Sequence, residues 1–164
     1  MIIVGIDPGL KGGISFYYPT KLEAYRTPTV AVPYVKKGKK RTRNDMDLDG
    51  CRDLLSRSNI RHVFLEKVSA MPGQGVTGMF RFGQNLGQWQ GLLSGMQLPY
   101  TMVTPQAWKK QAGLIKSPKG ASIILARELW PENSEEFKYK TTDEGRAEAA
   151  LIARYGWIQL NEEA

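Results

Sequence analysis

Three carboxylates stand where a charged side chain is out of pattern. Asp7 closes the apolar run Ile2-Ile3-Val4-Gly5-Ile6, Glu66 closes His62-Val63-Phe64-Leu65, and Glu148 interrupts the small apolar stretch around Ala147, Ala149, Ala150 and Leu151. Short β-branched runs read as buried strands, so the first two acids sit at strand ends. Glu144 precedes Glu148 by four residues and shares its helix face, and Asp143 at the helix start is a further candidate. Clustered carboxylates raise one another's pKa unless a divalent cation neutralises them. Two such cations about 3.5–4 Å apart activate water and stabilise the leaving oxygen in phosphodiester hydrolysis. Taken singly, each acid has an ordinary reading. An Asp before Pro-Gly is a turn residue, a Glu beside Lys67 is an ion-pair partner, and Glu148 is a solvated helix position. The three together, in the element order described below, favour the chemical reading.

Composition narrows the alternatives. Cys51 and His62 are the only cysteine and histidine, so no disulfide and no His/Cys zinc site forms within the chain. Oxygen ligands favour Mg²⁺, with Mn²⁺ as a substitute. The net charge of +7 points to an anionic partner. No stretch is long and apolar enough to span a bilayer, and no basic segment precedes the first apolar run. A cytoplasmic protein without membrane contact or a small-molecule cofactor is the expectation.

The elements that must position the acids follow from periodicity. Strands are expected at 2–6, 14–18 and 22–26, joined by tight turns into an antiparallel meander, then at 62–66 and 100–103. Helical spacing begins at Leu48 with Asp47 or Asp49 as cap, and recurs from Met79 through Phe82, Leu86, Trp89 and Leu93 to Gly95. A short helix surrounds Trp108. Ser117-Pro118 opens a helix over 119–129, and Thr142 is placed to cap the last one. This order describes an α/β fold in which a central five-stranded mixed sheet, meander first, carries helices on both faces. No repeat or long linker divides residues 1–164, which read as one domain with a basic flexible loop, or the tip of a hairpin, at 36–43. Asp45 to Gly50 copies half of an EF-hand loop, but Ser56 stands where the bidentate Glu belongs, so helix capping is the better account.

Lys36, Lys37, Lys39, Lys40, Arg41 and Arg43 place six cations in eight residues. Such a run is a solvated loop when free and a phosphate-gripping arm on nucleic acid. Lys116 and Lys119 flank a helix start that offers backbone N–H groups to a phosphate, and Lys109 extends that surface. Phe80 and Phe82 frame Arg81 after a Gly-rich loop. Gly83, Gly87 and Gly91 at four-residue spacing permit close approach of a second helix.

Three segments, IVGIDPGLKGGISF, FLEKVSAMPGQGVTGMFRFGQNLGQWQG and DEGRAEAALIARYG, resemble RuvC-type Holliday junction resolvases in this order, particularly those encoded by phages. The resemblance implies an RNase H-like fold. It also implies a homodimer that uses Mg²⁺ or Mn²⁺ to cleave four-way and other branched DNA, leaving 5′-phosphate and 3′-hydroxyl ends. By position it assigns Asp7, Glu66 and Glu148 to the metal-binding acids. The remaining family acid falls at Gly145, which leaves Glu144 as the better geometric substitute and Asp143 as the alternative. It further places the loop and helix after Glu66 toward the junction, with Met71, Gln74 or Phe80 to stack there and Arg81 beside them as a DNA contact. Basic residues such as Lys116 and Lys119 fall near the scissile strand. A junction-binding protein without turnover is the alternative.

Overall fold

The computed structural model describes residues 1–69, 73 and 75–162. A five-stranded sheet forms from β1 (Ile2–Asp7), β2 (Gly13–Tyr17), β3 (Leu22–Arg26), β6 (Ile60–Glu66) and β7 (Tyr100–Val103), in the order β3-β2-β1-β6-β7. The first three strands run antiparallel, while β6 and β7 pair parallel to β1 and to each other. This is the mixed sheet with a leading meander that the apolar runs imply.

Alternation along β1 feeds two cores. Ile3 points to one face, where it meets Phe64, Trp108, Phe137, Ala150 and Ile152. Val4 and Ile6 point to the other, with Phe16, Cys51, Leu55, Trp89 and Leu93. Helices α1 (Leu48–Leu55) and α2 (Val76–Gly95) cover the second face. Helices α3 (Pro105–Gln111), α4 (Ala121–Leu129) and α5 (Lys140–Glu162) cover the first, with a 3₁₀ turn at Pro131–Phe137. No helix among the described residues is long and apolar enough to cross a membrane.

Helix α5 lies directly on β1 and β2. A Cβ at Gly5 would run into the backbone of Ala149 and Ala153, and one at Gly145 into the backbone of Lys11 and Gly12. Small residues on both sides therefore set the depth of this contact. It also explains why position 145 carries no acid: a side chain there has no room.

Three expectations meet the structure. Of the flexible loop and the hairpin tip expected for 36–43, the structure has the hairpin tip, with β4 (Thr29–Lys36) antiparallel to β5 (Lys39–Met46). Lys37 and Gly38 both have positive φ (51° and 70°), the requirement of a two-residue type I′ turn. Lys-Gly is a less familiar form of that turn than Asn-Gly, and the cations obscure the alternation of Val30, Val32 and Tyr34. Helix α4 begins at Ala121, with Gly120 at its cap in the left-handed region (φ 88°), and Ser117-Pro118 lies before it. Helix α5 begins at Lys140, so Thr142 is inside the helix rather than at its cap. The half EF-hand is resolved as capping: Asp47 accepts the Gly50 amide at 3.0 Å.

Candidate active site

The parallel pairing of β1 and β6 aligns Ile6 with Leu65, so the next residues, Asp7 and Glu66, emerge side by side at the same end of the sheet. Helix α5 crosses that end and brings Glu148, the neighbour of the Ala149 packed on Gly5. All three acids line one cleft of about 800 Å³, together with Glu144. Cleft-lining Lys11, Lys109, Lys119 and Lys140 surround the acids with positive charge.

Two of the three carboxylates, Asp7 and Glu66, carry less compensation than their burial requires. Asp7 retains some exposure to the cleft, yet protein surrounds its carboxyl. Burial, then the charges of Glu66 and Glu148, hold its pKa well above the usual range. Glu66 is 7% exposed. Burial pushes it from 4.5 to about 7, with Glu148 adding to the rise and the Trp108 indole opposing it. The indole Nε1 donates to Glu66 Oε1 at 2.8 Å. Glu148 meets Lys109 Nζ at 3.3 Å and accepts a hydrogen bond from Ser122 Oγ at 3.3 Å. Lys109 is thus the one cation in direct contact with the trio among the described residues.

The other predicted acids behave differently. Glu144 faces the cleft on the same helix face as Glu148, but its Oε1 accepts the Gly120 amide at 2.8 Å and anchors the entry to α4. Asp143 is corrected: it does not reach the cleft. Its fully buried carboxyl accepts from Arg26 Nη2 at 2.7 Å, Arg146 Nη2 at 2.6 Å and the Tyr139 amide at 2.8 Å. Against the cost of burial, the bonds from Arg146, Tyr139 and Arg26 hold its pKa well below the usual carboxylate range.

The donor set suits a hard divalent cation in kind, because the acids are oxygen ligands that repel one another. As the side chains are placed, no three His, Cys, Asp or Glu residues among those described close around one metal position. Glu66 is held by the Trp108 indole and Glu148 by Lys109 and Ser122 instead, while the Gly9 backbone partly offsets the burial of Asp7.

The predicted DNA contacts fall into three groups. Lys109 and Lys119 line the cleft, and Lys116 is exposed nearby with left-handed backbone (φ 59°). Lys36, Lys37, Lys39, Lys40, Arg41 and Arg43 are exposed on the hairpin. Cross-strand partners share a face, so the pairs Lys36–Lys39, Tyr34–Arg41 and Val32–Arg43 put four cations on one side, while Lys40 pairs with Val35 on the other. Arg81 is not free on that surface: it binds Asp45 Oδ1 at 2.6 Å and the Asn44 carbonyl at 2.7 Å, tying α2 to β5. Phe80 is 74% exposed, whereas the Phe82 ring lines the cleft. Met71 and Gln74 lie outside the described residues. Gly83, Gly87 and Gly91 face open space.

Sequence reasoning missed Trp108, Ser122, Lys11 and Lys140 as participants in the site. Lys11 carried a usable signal, standing four residues after Asp7 in the same turn. The other three become visible only when α3, α4 and α5 are packed together.

A five-stranded mixed sheet with helices on both faces and acids gathered at one end of two parallel strands defines an RNase H-like fold. The fold superposes on RuvC of Thermus thermophilus in complex with a Holliday junction substrate. The TM-score is 0.60 over 97% of this chain and 96% of that one, at 14% sequence identity. A second T. thermophilus RuvC structure matches at TM-score 0.58, also at 14% identity, over 98% and 97% of the two chains. In sequence, the chain is 33% identical over 93 residues to the chloroplastic Holliday junction resolvase MOC1 of Chlamydomonas reinhardtii. That match covers 56% of this chain and 10% of the relative, so the chain spans about a tenth of the length of the curated protein it matches. No family model matches the sequence.

Proposed function

We propose that the chain is a divalent-metal-dependent nuclease of the RuvC type that cleaves branched DNA, four-way junctions in particular. The observation that carries this reading is the convergence of Asp7, Glu66 and Glu148 in one lysine-lined cleft, on a fold shared with RuvC. Asp7, Glu66 and Glu148 would hold Mg²⁺, or Mn²⁺ in its place. The cation supplies Lewis acidity, activating water and neutralising charge at the phosphodiester. The products are 5′-phosphate and 3′-hydroxyl ends.

The protein's own residues bind and orient the substrate. Lys11, Lys119 and Lys140 attract the phosphate backbone to the cleft, and Lys109 neutralises Glu148 until substrate and cation arrive. The basic hairpin grips a second stretch of backbone with the face bearing Lys36, Lys39, Arg41 and Arg43. These contacts set affinity and salt dependence rather than sequence choice. Phe80, which projects from α2 into solvent, is placed to stack on an unpaired base. A second copy of the chain packs across the open glycine face of α2, and residues 1–164 act as one nuclease domain in the cytoplasm, that of the host for a phage-encoded protein.

A specific observation favours a second reading, a junction binder without turnover: the acids as placed do not close around a metal. One assay separates the two. A four-way junction, a Y-fork and a linear duplex are incubated with the protein in Mg²⁺ and in Mn²⁺, beside Asp7→Asn. The nuclease reading expects cleavage of the branched substrates, lost by at least about 10²–10³-fold in Asp7→Asn while junction binding persists. Binding without cleavage in either metal supports the alternative, and full activity of Asp7→Asn sinks the assignment of the site.

A further inference from the structure

Helix α3 follows β7 without a loop. Thr104, the residue after Val103, caps the helix by accepting the Ala107 amide, and Pro105 occupies its first turn. Val103 pairs with Glu66 across the sheet, so the first turn of α3 starts beside that carboxylate. Trp108, completely buried, turns its indole back to it and donates at 2.8 Å to Oε1. The next residue, Lys109, reaches Glu148 and lies 5.0 Å from the Trp108 ring centroid.

Packing alone does not explain a tryptophan here. Indole Nε1 is a donor only, and its partner is one oxygen of a buried acid, leaving the second oxygen outside that bond. The molecule contains its own comparison. Trp89 is also completely buried, on the opposite face of the sheet, yet its Nε1 has no partner among the described residues. One tryptophan serves the core by volume, and the other adds a directed hydrogen bond.

We propose that Trp108 is a positioning residue: its indole N–H fixes Oε1 of Glu66 so that the remaining oxygen is presented to a divalent cation in the cleft. Hydrogen bonds of this kind orient acidic ligands and sharpen metal affinity. The inference rests on the reading of Asp7, Glu66 and Glu148 as cation ligands.

The test measures Mn²⁺ binding to the full chain by electron paramagnetic resonance, in the absence of DNA. Trp108→Phe keeps an aromatic ring and removes the donor; Trp89→Phe makes the same change where no bond is lost. Trp108→Phe is expected to weaken Mn²⁺ binding about tenfold or more, and Trp89→Phe to stay within about twofold of the wild type. Equal affinity in Trp108→Phe and wild type overturns the proposal, as does an equal loss in both variants. Wild type that binds no Mn²⁺, or Asp7→Asn that binds it as well as wild type, removes the carboxylate reading itself and the inference with it. Should Trp108→Phe lose cooperative unfolding, β-(3-benzothienyl)alanine at position 108 keeps the indole shape without its N–H, and the same two outcomes decide.

Discussion

Two acidic centres lie five residues apart on helix α5, and they are built on opposite principles. Asp143 is fully buried and surrounded by donors: two guanidinium groups and a backbone amide. Glu148 belongs to a trio in which burial, then the charges of Glu66 and Glu148, raise Asp7, and burial, then Glu148, raises Glu66, with one ammonium in direct contact. The first arrangement is complete without a ligand. The second stores electrostatic repulsion that a cation relieves. Compensation, rather than burial or sequence proximity, separates a carboxylate that holds the fold from one available for chemistry.

The comparison breaks most visibly under paired substitution. Asp143→Asn removes the charge between Arg26 and Arg146, leaving the largely buried Arg146 unmatched, and should cost about 3–5 kcal/mol in urea unfolding. Asp7→Asn removes a charge from the repelling trio while keeping an oxygen acceptor. It should stabilise the metal-free protein by about 0.5–2 kcal/mol even as cleavage is lost. Two destabilisations of similar size would show that both centres are structural.

The second effect is a pH dependence whose alkaline limb belongs to the cleft and whose acid limb belongs to the compensated carboxylates. Glu66 has a folded pKa of about 7 against an ordinary 4.5, so between those values the folded state holds a proton that the unfolded chain releases. The metal-free protein therefore loses stability as pH rises through this window, by up to about 3 kcal/mol from Glu66. Asp143 is shifted downward, and so is Glu23, which hydrogen bonds from Lys21 and Arg57 bring to about 2 against the cost of burial. Their contribution is present above the ordinary carboxylate range and lost as pH falls below it. Unfolding midpoints in EDTA should peak near pH 5, fall toward pH 8, and flatten on the alkaline side when Mg²⁺ is added. A midpoint that rises steadily from pH 5 to 8 contradicts the assignment of repulsion to the cleft.

The sheet was legible in the sequence because its strands are short β-branched runs ended by turn residues, and α2 was legible through the spacing of Leu86, Trp89 and Leu93. The hairpin was legible only as an alternative to a loop, since its alternation is carried by Val30, Val32 and Tyr34 against a strand of charges, and its turn uses Lys37 at positive φ. In the site, Asp7 and Glu66 were readable from their strand ends. Glu144 was readable as the acid on the helix face of Glu148, four residues on, while Asp143, turned about 100° from its neighbour, stayed open as an alternative until the packing showed what occupies it. Arg26, the partner that occupies Asp143, is 117 residues away. Trp108 was visible only as the centre of a short helix, with no mark of the acid it would meet.

The smallest predicted effect concerns Glu144, the acid between the two centres. It shares the cleft with Glu148 but spends Oε1 on the Gly120 amide, at the point where a left-handed glycine starts α4. Glutamine keeps a carbonyl oxygen for that amide and removes only the charge. If Glu144 belongs with Asp143 as an acid already occupied by the fold, Glu144→Gln should change stability by less than about 0.5 kcal/mol. Cleavage at saturating Mg²⁺ should then stay within about threefold of the wild type, a barrier change below 1 kcal/mol. If Glu144 instead replaces the acid that position 145 has no room for, the same variant should lose about 10²-fold or more in cleavage and require more Mg²⁺ for half-maximal rate. A metal titration of Glu144→Gln thus decides on which side of the divide between occupied and available acids this residue falls.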